Sequence, residues 1–167
     1  MSEPTTTTTT TTGAEPTVLT PLEKMRAFVA SYPDADILST LAIDYTDQVP
    51  DMGGLFPTGL VEVSRVTDLI GNVTITNQLN FALYTVLTKA PEDDTGATFN
   101  AEWQLGFQQW VQEQSATCQA PTFGDVAWNE RITAQDGQIY SADAEGVAIY
   151  AIQISVTYIK KFRRQYV

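Results

Sequence analysis

Histidine is absent from the 167 residues, and cysteine occurs once, at Cys118. Without His there is no Ser-His-Asp or Cys-His catalysis, and the commonest general base is missing. A lone Cys118 forms no internal disulfide, and no Cys or His cluster has zinc spacing, so the sequence implies no metal, no haem and no cofactor, and synthesis in a reducing cytoplasm. Long apolar runs are missing too. No stretch reaches 18 apolar residues, and the opening MSEPTTTTTT has neither the basic nor the apolar region of an export signal, so neither a signal peptide nor a membrane span is expected. Basic residues are scarce: only Lys24, Arg26, Arg65, Lys89 and Arg131 precede residue 160, against all 20 acidic ones, which leaves −15 over residues 1–159. Such a body repels nucleic acid, whose binding rests on neutralising phosphates. The balance reverses at the end of the chain, where KKFRR supplies Lys160, Lys161, Arg163 and Arg164. These four either meet an acidic surface on a copy or partner, or form a solvated, solubilising tail.

What remains is enough for one ordinary domain. Residues 1–18 hold eight consecutive threonines and no core-forming pattern, so they are expected to be a flexible Thr-rich arm, with a single domain over residues 19–167. Thr20-Pro21-Leu22-Glu23 has capping-box spacing with Pro at the first helical position, and Leu22, Met25, Phe28, Val29 and Tyr32 follow as an apolar stripe; a helix over residues 22–32 is predicted, stopped by Pro33. LAIDYT alternates as a short strand. DQVPDMGGLFPTG, with two Pro and three Gly, is expected to be a projecting loop whose Met52, Leu55 and Phe56 are candidate subunit or partner contacts. LVEVSRVTD alternates again, and Ile70-Gly71-Asn72 turns the chain into a long strand over Val73–Thr88, with Val73, Ile75, Leu79, Phe81, Leu83 and Leu87 on one face. Asp93, Asp94 and Thr95 then mark the start of a helix over residues 99–114, whose rings Phe99, Trp103, Phe107 and Trp110 are placed on one core-facing stripe. Asp136-Gly137 reads as a two-residue hairpin turn, and a second long strand is predicted over residues 147–160. Two helices on one face of a mainly antiparallel sheet make an α+β fold.

The block NFALYTVLTKAPEDDTGATFNAEWQLGFQQWVQEQSA, continued by APTFGD and by ERITAQDGQIYSADAEGVAIYAIQISVTYI, resembles a family of small proteins from the tail modules of phages and prophages of Gram-positive bacteria. The similarity spans residues 21–159 and in element order is similar to phage tail-terminator proteins. The resemblance implies a non-enzymatic virion component: a ring of six copies that caps the tail tube, stops its polymerisation and joins it to the head connector. Its partners would be copies of itself, the tube protein and a connector or neck protein, with DNA passing through an acidic lumen without specific binding. A minor capsid or head-completion protein of the same module is the nearest alternative, and a small carboxylate-dependent enzyme the more distant one.

Chemistry-bearing constellations are sparse. Cys118 has no base near it in sequence and reads as a free thiol. Carboxylate pairs are the only acid/base apparatus that remains, and Asp34/Asp36, Asp47/Asp51 and Asp93/Asp94 all fall in connectors or at a helix start. Asp47 to Asp51 with Gly53 lacks the alternating carboxylates and terminal Glu of a calcium loop, and Gly53-Gly54 lacks the Lys-Ser/Thr of a phosphate loop.

Overall fold

The computed structural model describes residues 19–44, 49–88, 94–142 and 146–164. The Thr-rich arm, Asp47 and Asp93 lie outside these residues. Five strands form one sheet in the order β1-β2-β3-β5-β4, where β1 is Thr40–Ile43, β2 Met52–Thr67, β3 Val73–Thr88, β4 Arg131–Ala142 and β5 Val147–Phe162. Every pairing is antiparallel except β1 with β2. Helices α1 (Pro21–Ala30) and α2 (Asp94–Ala116) cover one face of the sheet, so the α+β architecture read from the periodicities is the one observed.

Helix α1 starts where its cap chemistry dictates. Thr20 Oγ1 accepts from the Glu23 amide and the Thr20 amide donates to Glu23 Oε2 at 2.8 Å, the reciprocal box that satisfies exposed donors of the first turn. Its stripe then meets α2: Phe28 stacks on Trp110 at 4.7 Å between centroids, and Tyr32 sets its edge against Trp103 and Phe107. Beneath them Leu55, Phe81, Leu83, Ile132, Ile152, Ile154 and Val156 close the core from the sheet. The interior face of α2 centres on Asn100, Gln104, Phe107 and Val111 rather than on its rings alone. Gln104 Nε2 donates to Thr85 Oγ1 at 3.0 Å and Asn100 Nδ2 to the Thr88 carbonyl at 2.9 Å, so the threonine that interrupts the apolar face of β3 has a buried partner. Phe99, expected in the core, is 56% exposed, because it lies about 100° round the helix from Asn100 and no α1 ring sits over it as Phe28 sits over Trp110.

Two other expectations are corrected. MGGLFPTG is not a projecting loop but the first half of β2. Gly53 lets Leu38 and Leu41 pack against the strand, since a Cβ there would stand 3.0 Å from a methyl of each, and Gly59 takes φ +138° at a bulge. Pro57 falls beyond Leu55, the last residue β1 pairs with, where a missing amide removes no bond to β1. Asp136-Gly137 is likewise not a hairpin turn. Asp136 has φ +60°, the β4–β5 register shifts between Gln135 and Gln138, and β4 runs on to Ala142. The turn residues make a bulge, and Gly137 lets the end of the Gln108 side chain of α2 lie directly against the strand.

Candidate functional site

From Pro57 to Ile70 every residue is exposed, so the distal half of β2 and the turn to β3 extend beyond the helical layer. Leu60, Val61, Val63, Val66, Leu69 and Ile70 present apolar side chains there, with Leu69 wholly exposed. Single exposed aliphatics are ordinary, but six along one hairpin, distributed over both of its faces, concentrate exposed apolar surface at this end of the sheet, as interaction sites do. β1 pairs only as far as Leu55, so among the described residues this half of β2 is an open edge.

The turn itself is held by side-chain hydrogen bonds. Asp68 Oδ1 accepts from the Ile70 and Asn72 amides at 3.0 and 2.8 Å and Oδ2 from Asn72 Nδ2 at 2.8 Å, while Gly71 takes φ +86°. These bonds, led by the Asn72 side chain, hold the Asp68 carboxyl below its ordinary pKa.

The basic end of the chain lies beside this turn. β5 pairs with β3 to its last residues, Phe162 opposite Val73, so Lys160 and Lys161 are strand residues rather than part of a free tail. The Arg164 amide donates to Asn72 Oδ1 at 3.2 Å, and its side chain passes over Gly71. Lys160 Nζ is 3.4 Å from Asp125 Oδ1, and the Lys161 amide donates to Asp125 Oδ2 at 2.8 Å. Arg65 faces the same end, paired with Glu62 at 2.7 Å. The structure therefore joins an apolar hairpin and the basic terminus into one surface. Lys160, Lys161, Arg163 and Arg164 belong to it. Leu55 does not: it is fully buried under the helices, because the alternation of β2 points it into the core. Met52 and Phe56 are half-buried at the other end of β2, where Phe56 begins an edge-to-face row with Tyr84 and Tyr140 on the sheet face away from the helices. The hairpin residues were missed in the sequence, although LVEVSRV carries a signal: apolar and charged residues fall on both faces, as on a ribbon solvated on both sides.

The Asp125 carboxyl is held below its ordinary pKa, first by the Lys161 amide and then by the charges of Lys160 and Lys161. A depressed folded-state pKa contributes stability that is present above the unfolded value of about 3.9 and is lost as pH falls through the folded pKa. Above about pH 4 the clasp on β5 should hold, and as pH falls further, through the depressed pKa, the Lys161 amide should progressively lose hydrogen-exchange protection. Asp125→Asn should remove that acid-side step, and an unchanged pH profile would disprove the assignment.

Of the carboxylate pairs, only Asp34/Asp36 lies wholly within the described residues. Asp34 precedes the short turn Ala35–Ile37 and Asp36 lies within it, beside Glu102 in an open cleft of about 440 Å³, and no group of three potential metal ligands occurs among the described residues. The carboxylates whose pKa is displaced, Glu23, Glu62, Asp68 and Asp125, all move downward through hydrogen bonds, away from what a general acid needs. Cys118 is exposed with φ +56°. The Gln119 amide reaches the Gln114 carbonyl and the Cys118 amide that of Ser115, so the cysteine occupies the left-handed position that ends α2. No helix among the described residues is long and apolar enough to cross a membrane. No protein family matches the chain, and no curated protein matches it significantly in sequence.

Proposed function

We propose that the chain is a structural assembly protein of a phage tail, a tail-terminator or tail-completion subunit that forms a ring of six copies, caps the tail tube and joins it to the head connector. The observation that carries this reading is the hairpin surface, where exposed aliphatics and a cluster of cations stand on a body of charge −15 over residues 1–159. Apolar area supplies affinity, and the opposite charges orient the encounter with an acidic copy or tube subunit. The phage assignment itself comes from the sequence resemblance over residues 21–159, whose implied α+β architecture agrees with the fold. The finer expectations, an acidic lumen and a location at the tail–neck junction of the virion, belong to the same proposal.

Replacing Lys160, Lys161, Arg163 and Arg164 together by Gln tests it. Exposed charges contribute little to stability, so the fold should persist. Docking on purified tail tubes should weaken, and it should lose most of its salt dependence, because screening shortens from about 10 Å at 0.1 M to about 3 Å at 1 M. Electron microscopy should show rings at tube ends. Protein that never forms rings or associates with tubes would overturn the terminator reading, and binding to head shells in place of tubes would favour the head-completion alternative.

A further inference from the structure

The fold separates charge along its length. β3 runs 16 residues from Val73 to Thr88, about 50 Å at roughly 3.3 Å per residue, and the basic chain end lies at its Val73 end. At the Thr88 end stand Asp34, Asp36, Asp51 and Glu102. The Asp51 amide donates to the Val86 carbonyl at 2.8 Å, the Asn100 side chain of α2 to the Thr88 carbonyl, and Trp103 Nε1 to the Asp34 carbonyl, so strand, helix and turn hold these acids together. Among the described residues Asp36, Asp51 and Glu102 form no ion pair, and Arg26 lines a neighbouring recess with Asp36 without pairing with it. The cleft of about 440 Å³ beside Asp34, Asp36 and Glu102 is walled by the exposed ring of Phe99 and the buried rings of Tyr32 and Trp103, so it offers apolar contact as well as negative charge. At the other end Lys161, Phe162 and Arg163 are exposed, and neither cation forms an ion pair among the described residues. One end presents unpaired carboxylates around an open ring, the other unpaired cations around another.

We propose that the basic chain end of one copy, Lys161, Phe162 and Arg163, docks against the acidic cleft of a second copy, with Phe162 and Arg163 over Phe99 and the cations facing Asp36 and Glu102. The inference rests on the assembly reading and names the two surfaces that meet. Charge selects the occupant: the cleft repels other acidic surfaces, and the one run of basic residues in the sequence is KKFRR at this chain's own end. Arginine suits the seat, since a guanidinium stacks on a ring while donating to carboxylates. A chain cannot make this contact with itself, because its two ends are about 50 Å apart, several times the screening length of about 10 Å at 0.1 M salt. The contact is therefore between copies. Because the two ends are different surfaces, it is heterologous, and each copy keeps one free basic end and one free cleft until a ring closes.

Two charge-reversed forms of the full chain test it. One carries Lys161→Glu with Arg163→Glu, the other Asp36→Lys with Glu102→Lys; all four side chains are exposed, so both forms should remain folded by circular dichroism. Wild-type self-association, followed by analytical ultracentrifugation with reductant present, should weaken at least tenfold between 0.1 and 1 M salt, as screening shortens. Each reversed form alone should associate at least tenfold more weakly than wild type at 0.1 M salt, since like charges then meet. Mixed in equal amounts, the two should recover wild-type association, because every contact in an alternating array again joins opposite charges. Wild-type association that ignores salt, reversed forms that associate alone as wild type does, or a mixture no stronger than its components overturns the proposal. Rings formed by either reversed form alone refute the contact and leave the ring reading intact. Recovery on mixing, in protein that ignores tail tubes, supports the contact and refutes the tail role. Duplex oligonucleotide or anionic vesicles bound by wild type and not by the Lys161→Glu, Arg163→Glu form, with self-association unchanged, would assign the basic end to that ligand and overturn the proposal.

Discussion

Trp103→Ala should lower the unfolding free energy by about 3 to 5 kcal/mol, the usual cost of removing a large ring from a core. Trp103 is 6% exposed, lies parallel to Phe107 with centroids 5.8 Å apart, and meets the edge of Tyr32. Its Nε1 donates to the Asp34 carbonyl at 2.9 Å. Substitution therefore opens a cavity at the α1–α2 contact and leaves that carbonyl without its partner, two penalties that add to the lost burial. Phe99→Ala, one turn earlier, is the control. With its ring 56% exposed, it should cost less than about 1 kcal/mol. Urea unfolding monitored by far-UV circular dichroism separates the two. Equal shifts would show that the stripe does not pack as described.

Gly124→Ala should destabilise by about 1 to 3 kcal/mol, as overpacking does. A Cβ at Gly124 would overlap the Ile159 carbonyl oxygen, a backbone atom that cannot rotate away. The segment from Ala120 to Asp125 would have to lift from β5, loosening three attachments: the Asp125 amide to the Ile159 carbonyl at 2.8 Å, the clasp from Asp125 to the Lys161 amide, and the packing of Phe123 near Tyr158. Beyond the lower urea midpoint, the Lys161 amide should exchange faster even where the domain remains folded. Full retention of its protection would show that the loop tolerates a side chain there.

The strands β3 and β5 were legible because a period of two with Phe81, Leu83, Ile152 and Ile154 on one face has only one way to bury those side chains. Helix α1 was legible for the same kind of local reason, since Thr20, Pro21 and Glu23 satisfy the helix start within one turn. Gly and Pro gave the wrong sense in β2 and at Asp136-Gly137. Both residue types mark places where a backbone must bend or be approached closely, and only the long-range pairing of β2 with β1 and β3, and of β4 with β5, decides that the outcome is a strand rather than a loop. The candidate site divides in the same way. Charge asymmetry along the chain is a property of the sequence alone, so the basic end at Lys160, Lys161, Arg163 and Arg164 was identified without coordinates. That it adjoins an exposed aliphatic hairpin depends on the pairing of β5 with β3, which brings Phe162 opposite Val73 across 89 residues of chain, and no local pattern encodes a contact of that separation.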